Sequence, residues 1–283
     1  MTILEAVSLG DVFVPSIVYR LTSLPRDDNE AAFASLKPHP HFEGMEPRAL
    51  VARLRESTAV RAAGAVVHEA GWDHHIAITA RAWTYPTRWC LALDASHEKC
   101  TIHDRRPSTC RTVPIRYDVP EGLLVRAFRG VVDAGIKTSD FRCDVSASAP
   151  VLIRDEKVVN EEYASARAEG ARKALAEREL AGYMLRSPLL PPIKDVYAEL
   201  RRNKLVSVSF PGAVAAAHDL KLLDDDAVKK FCESQRALLA REIAAALARK
   251  RKEEREITTR FRAIESAYGA MLERLAASRA RAV

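Results

Sequence analysis

Aromatic residues are scarce in this 283-residue chain, at 6%, while alanine is plentiful, and that balance leans toward helix. Long apolar runs are missing too. None approaches the roughly 18 to 20 residues that span a bilayer. The first residues, MTILEAVSLGDV, carry Glu5 and Asp11 and have no basic stretch ahead of an apolar core, so no signal peptide is expected. The eleven glycines form no G-x-G, no P-loop and no dinucleotide fingerprint, which leaves no visible nucleotide or S-adenosylmethionine site. Internal repeats are absent. The expected compartment is the cytoplasm, where thiols stay reduced. Structural disulfides are therefore not expected, and metal ligation, catalysis or burial remain for the five cysteines.

What is there fits a folded, mainly helical α+β protein. Hydrophobic residues make up 48% and charged residues 29%, well away from the composition of disordered chains. The length suits one or two domains. A net charge of +6 is mild for this length, permitting an acidic partner without demanding one. The composition shifts near residue 150, which suggests a cysteine-bearing domain over 1–150 and a long-helix C-terminal region over 151–283.

Within the first region, DVFVPSIVYRL is β-branched and broken by Pro15, so it reads as an edge strand or extended segment. LKPHPHFEGMEP reads as a loop, with Pro47 placed for the first turn of a helix. Leu50, Val51, Leu54, Val60, Ala63 and Val67 predict one helix from Arg48 to Glu69, stopped by Gly71. HIAITARAWTY alternates like a strand. In the second region Asn160 can cap a helix running to about Leu185, and RSPLLPPIKD reads as a turn or linker. A long helical stretch, possible to break, starts around Asp224 and runs to Ala277. Its seam is Ile257, Phe261, Ile264, Tyr268, Met271 and Leu275. The run ARKRKEERE (248–256) offers nothing to a core and is expected to be exposed on all sides.

Four cysteines, Cys90, Cys100, Cys110 and Cys143, are separated by nine, nine and thirty-two residues. All-thiolate sets of four suit zinc or an iron–sulfur cluster, because soft sulfur favours those centres. Structural zinc sites usually contain a pair two to four residues apart, and none exists here, so an iron–sulfur centre is favoured over zinc. Pro107 suits a first helical position, which places Cys110 near a helix start where backbone donors lower a thiol pKa. Arg105, Arg106 and Arg111 are expected to offset the charge of converging thiolates. The polar, proline-bounded setting argues against simple burial for these four, whereas Cys232 on a helical stretch reads as a buried small hydrophobe.

The stretch RWCLALDASHEKCTIHDRRPSTCRTVP, followed later by FRCDVS, resembles the YkgJ-type cysteine-cluster proteins, a zinc- or iron-chelating family. Their hallmark is a cysteine preceding a leucine, then C-x-I-[YH]-x-x-R-P-x-x-C-R, then a further cysteine. Cys90 with Leu93, then Cys100, Ile102, His103, Arg106, Pro107, Cys110 and Arg111, correspond position by position, and Cys143 falls where the later cysteine is expected. The resemblance covers roughly residues 88 to 145. It implies a metal centre, with a 4Fe-4S cluster favoured and zinc the alternative, held by Cys90, Cys100, Cys110 and Cys143. Members usually also carry an N-terminal C-x-x-C-x-x-C-C run, and residues 1–89 here contain no cysteine, so a second centre is not expected. Flagellin lysine N-methylases share a similar segment. That resemblance raises protein-lysine methylation, or an accessory role in it, as an activity.

Other residues carry less. His68, His74 and His75 in HEAGWDHH lack the spacing of a zinc protease helix, so a surface or supporting role is expected. His103 is expected to pack or hydrogen-bond. No catalytic residue is assigned, and whether the protein is an enzyme stays open. From Arg241 to Val283 eleven basic residues face six acidic ones. Interleaved i, i+4 acids and the lack of alternating aromatics favour a solvated helix face over a nucleic-acid surface. The alternative function is a zinc-stapled interaction module whose basic C-terminal helix binds a protein, a second copy of the chain or nucleic acid. No membrane association is expected.

Overall fold

The computed structural model describes residues 1–36, 42–83, 90–94, 96, 99–127, 148–188, 190–203 and 205–282. Cys143, residues 37–41 of the expected loop and the last two residues of the expected strand, Thr84 and Tyr85, lie outside the described residues. Helix accounts for 57% and strand for 16%, so the fold is mainly helical α+β. The helices are α1 (Ile3–Ser8), α2 (Glu30–Ser35), α3 (Pro47–Arg55), α4 (Thr58–Arg61), α5 (Ser108–Arg111), α6 (Glu161–Ala176), α7 (Arg178–Arg186), α8 (Ile193–Asn203), α9 (Pro211–Asp219), α10 (Asp225–Arg249) and α11 (Arg255–Ala282). The strands are β1 (Pro15–Pro25), β2 (Ala65–Glu69), β3 (Trp72–Ala82), β4 (Leu93–Asp94), β5 (Lys99–Cys100), β6 (Ile153–Arg154), β7 (Lys157–Val158) and β8 (Leu205–Ser209). Contacts divide the chain into two units drawn from several segments each: Met1–Tyr19, Ile78–Arg105 and Tyr183–Val283 form the first, Arg20–Ala77 and Arg106–Gly182 the second. The largest sheet has the order β2-β3-β1-β8.

In the first unit, Thr2 and Glu5 form a capping box that starts α1, so two orphan backbone donors are satisfied at once. The opening residues of β1 are buried on both faces, with Ile17, Val18 and Tyr19 in the core. This corrects the edge-strand expectation. Pro15 lies at the first position of the strand, where a missing N–H is tolerated, and β1 is an interior strand. Ser207 on β8 reaches Ser16 Oγ and the Ile17 carbonyl at 3.3 Å each. Asp224 caps α10 by accepting from the Ala227 N–H at 2.7 Å.

Helices α10 and α11 form an antiparallel pair. Arg279 near the end of α11 reaches Asp225 and Asp226 at the start of α10, at 3.3 and 2.7 Å. The chain reverses at Lys250, which takes a left-handed conformation (φ 53°) as α10 ends. The expected seam faces inward: Phe261, Ile264 and Tyr268 are buried, and Tyr268 meets Phe231 edge-on at 5.6 Å. The charged run at the bend is exposed with one correction. Glu254 is 1% exposed, because Arg249 Nε lies 3.1 and 3.0 Å from its two carboxylate oxygens.

In the second unit Pro47 opens α3 as expected, and Glu46 caps it by accepting from the Arg48 and Ala49 N–H groups at 3.0 and 2.7 Å. The single helix expected over Arg48 to Glu69 is not formed. Ser57 caps a new short helix, α4, and the chain then enters β2. The local reason is a two-residue turn. Ala70 and Gly71 both take positive φ (49° and 80°), which joins β2 to β3 with Glu69 opposite Trp72. Val66 and Val67 are β-branched and favour that strand. Leu24, Phe33, Val51 and Val60 make the local core. Asn160 caps α6 by accepting from the Tyr163 N–H at 3.2 Å.

Candidate metal centre

Cys90 and Cys100 belong to one small hairpin of the first unit. In it β4 and β5 pair antiparallel, Leu93 opposite Cys100 and Asp94 opposite Lys99. The Leu93 N–H closes a turn onto the Cys90 carbonyl at 3.3 Å, and Thr101 binds the Ala92 carbonyl with both its N–H (2.8 Å) and its hydroxyl (3.0 Å). These bonds fix both cysteines relative to the same three-residue span. Both thiols are half-buried and pack on one apolar cluster made by Leu9, Phe13, Ala92 and Ile102. The local sequence, polar and rich in turn residues, predicts few apolar neighbours. The structure supplies them from the N-terminal segment instead. Ile102 of the motif is buried in that cluster, whereas Leu93 is 41% exposed and serves no packing role there.

Cys110 is the third residue of α5, a single turn in the second unit. Pro107 is its cap rather than its first helical residue, one position earlier than expected. The Cys110 N–H closes the turn onto the Pro107 carbonyl at 2.8 Å. What holds this turn in place is α6. Arg111 donates to Glu169 Oε2 at 2.7 Å, and Lys173 pairs with the other oxygen at 2.6 Å. Lys173 first, then Arg111, hold the Glu169 carboxyl below its ordinary range. Gly170 lets α5 and Tyr117 come close: a Cβ there would sit 2.8 Å from the Tyr117 ring and 3.0 Å from Ser108 Cβ. Ser108 and Thr112 are buried beneath, with the Thr112 hydroxyl donating to the Ser108 carbonyl at 2.8 Å.

Two of the motif's arginines are held by carboxylates remote in sequence. Arg111 is engaged by Glu169, and Arg105 reaches Asp11 at 3.1 Å. His103 is exposed, at the start of a 3-10 turn, so of the two roles expected for it, packing or hydrogen bonding, packing does not hold. Sequence reading missed Glu169, Lys173 and Asp11 because all are remote along the chain. Gly170, an isolated glycine inside a helix of good formers, was the one local sign of a close approach.

The remaining candidates sort simply. Cys232 is fully buried on α10, and burial, with a smaller push from Glu233, raises its thiol pKa to about 11. It is a packing residue. His68 and His74 lie on the β2–β3 hairpin, where His68 Nδ1 meets Asp73 at 2.7 Å and His74 Nδ1 meets the Ser23 hydroxyl at 2.8 Å. His68 is exposed and His74 is buried. Among the described residues, no three His, Cys, Asp or Glu side chains converge as a metal-holding group, and Cys143 lies outside them. None of Cys90, Cys100, Cys110 and Cys232 forms a disulfide.

Two thiols fixed on one hairpin beside apolar surface are a setting that suits a thiophilic ion. That is the class of segment the comparisons find. Residues 51–133 match the family model "CxxCxxCC: Putative zinc- or iron-chelating domain", the YkgJ-type family. The matched span includes Cys90, Cys100 and Cys110, stops short of Cys143 and holds no cysteine before Cys90. It supports metal binding by this segment. No curated protein and no solved structure matches the chain.

Proposed function

We propose that Cys90, Cys100, Cys110 and Cys143 are the thiolate ligands of one metal centre, and that this centre is a 4Fe-4S cluster in a cytoplasmic protein. The observation that carries the reading is the common seat of Cys90 and Cys100. One hairpin presents both thiols, half-buried, on a single apolar cluster inside the segment that matches the chelating family. Thiols dispersed merely for packing have no need of a shared hairpin.

Iron–sulfur is preferred to zinc because no ligand pair is spaced by two to four residues. A cluster bound there would supply one-electron exchange, at a potential set by surrounding apolar groups and backbone donors. The chain's own part is to hold the sulfurs and thin the water around them. Leu9, Phe13 and Ile102 do the second for Cys90 and Cys100. No helix among the described residues is long and apolar enough to cross a membrane.

The test is anaerobic purification followed by iron, zinc and acid-labile sulfide analysis. The reading expects a brown protein with about four iron and four sulfide per chain. Zinc without sulfide would keep the chelating segment and remove the cluster. A colourless protein with neither metal would remove both.

A further inference from the structure

A groove of about 450 Å³ lies at the bend between α10 and α11, within the first unit. Exposed Lys250, Arg251, Arg255 and Arg262 line it, beside Leu247, which is 53% exposed. Three other cations of the helix pair are engaged by carboxylates. Arg249 holds Glu254, Arg260 holds Glu256, and Arg279 holds Asp225 and Asp226. Among the described residues, the four groove cations make no ion pair and no side-chain hydrogen bond.

The rest of the lining does not offset them. The Glu254 carboxylate is committed to Arg249. The Thr258 and Thr259 hydroxyls are spent on the Glu254 and Arg255 carbonyls, at 2.7 and 3.1 Å. What the groove offers is aliphatic surface and unneutralised positive charge. Four like charges around one concavity repel each other, and an anionic occupant relieves that repulsion.

We propose that this groove docks an acidic peptide segment of a partner protein, its carboxylates on the four cations and one apolar side chain against Leu247. Nucleic acid fits less well. Among the described residues, no aromatic side chain lines the groove for bases to stack on, and a phosphate backbone has no use for Leu247. This docking site owes nothing to the metal centre.

The test uses the full-length protein and two fluorescent probes of equal length, a peptide alternating Glu with Leu and a single-stranded oligothymidylate. Anisotropy titrations at low salt are expected to show the peptide binding more tightly than the oligonucleotide, weakening as salt screens the charges. The double variant Arg251→Glu, Arg255→Glu should weaken the peptide roughly tenfold or more. Because those cations hold no carboxylate, the variant should melt like the wild type. Leu247→Ser, which alters no charge, should weaken the peptide several-fold and leave the oligonucleotide unchanged. Tighter oligonucleotide binding lost in the double variant would make this a nucleic-acid surface and overturn the assignment. Peptide binding that ignores both variants, or no peptide binding at all, would overturn it too.

Discussion

Arg111 donates to Glu169 across 2.7 Å, and that contact ties the turn carrying Cys110 to the helix α6. The arginine beside the motif cysteine thus braces backbone. Both partners are partly exposed, so the pair alone contributes at most about 1 kcal/mol. The closer fit comes from the neighbouring glycine.

Gly170→Ala separates helix propensity from packing. Alanine gains about 1 kcal/mol inside a helix. Against that, its Cβ would press on the buried Tyr117 ring at 2.8 Å, and overpacking costs about 1 to 3 kcal/mol. A net loss of roughly 1 kcal/mol is expected, measured by chemical denaturation. A gain in stability would mean that α5 and Tyr117 yield easily and the turn is loosely held.

The bend between α10 and α11 is pinned by the Arg249–Glu254 pair. Arg249→Ala removes an ion-pair partner from a carboxylate that is 1% exposed. Breaking a buried pair in this way costs about 3 kcal/mol, the low end of the usual range because Arg249 is partly exposed. Glu254→Gln, which leaves no buried charge, should cost less. Denaturation midpoints of the two variants check this ordering, and equal losses would contradict it.

The β2–β3 hairpin predicts a pH effect. Burial pushes His75 below its ordinary value of 6.5, Asp73 opposes this, and Arg55, His68 and His74 add to it. The folded chain therefore binds that proton less readily than the unfolded chain. Between the two values the unfolded state holds more protons, so this contribution is present above 6.5 and is lost as pH falls through the folded value. Thermal midpoints measured from pH ~7.5 down to ~5 should fall less steeply in His75→Gln than in the wild type. Parallel curves would show that His75 titrates alike in both states.

Periodicity and capping made the C-terminal helices legible: Asp224 and Asn160 cap where their side chains suggest, and Phe261, Ile264 and Tyr268 face inward together. Where two patterns compete, sequence reading failed. The apolar spacing over 48–69 fits a helix, but Ser57 can cap and Ala70–Gly71 can turn, and those local choices made two short helices and a strand. Buried on both faces, the start of β1 shows no alternation to mark it as interior. For the site, the motif residues were plain to read. Their surroundings were not, because Phe13 beside Cys90 and Cys100 and Glu169 beside Arg111 lie far away along the chain. Local polarity around Cys100 carries no information about those neighbours.

The most direct test of the metal centre is iron, zinc and sulfide content of anaerobically purified Cys110→Ser, measured beside wild type and Cys232→Ser. Ligation couples metal binding to folding and can contribute on the order of 10 kcal/mol, whereas an ordinary point change costs about 0.5 to 3 kcal/mol. Cys110→Ser is expected to lose its metal and sulfide and to melt far below the wild type. Cys232→Ser, altering only a buried thiol, should keep the full content. Wild-type metal and sulfide in Cys110→Ser, with an unchanged melting temperature, would contradict the proposed ligand set.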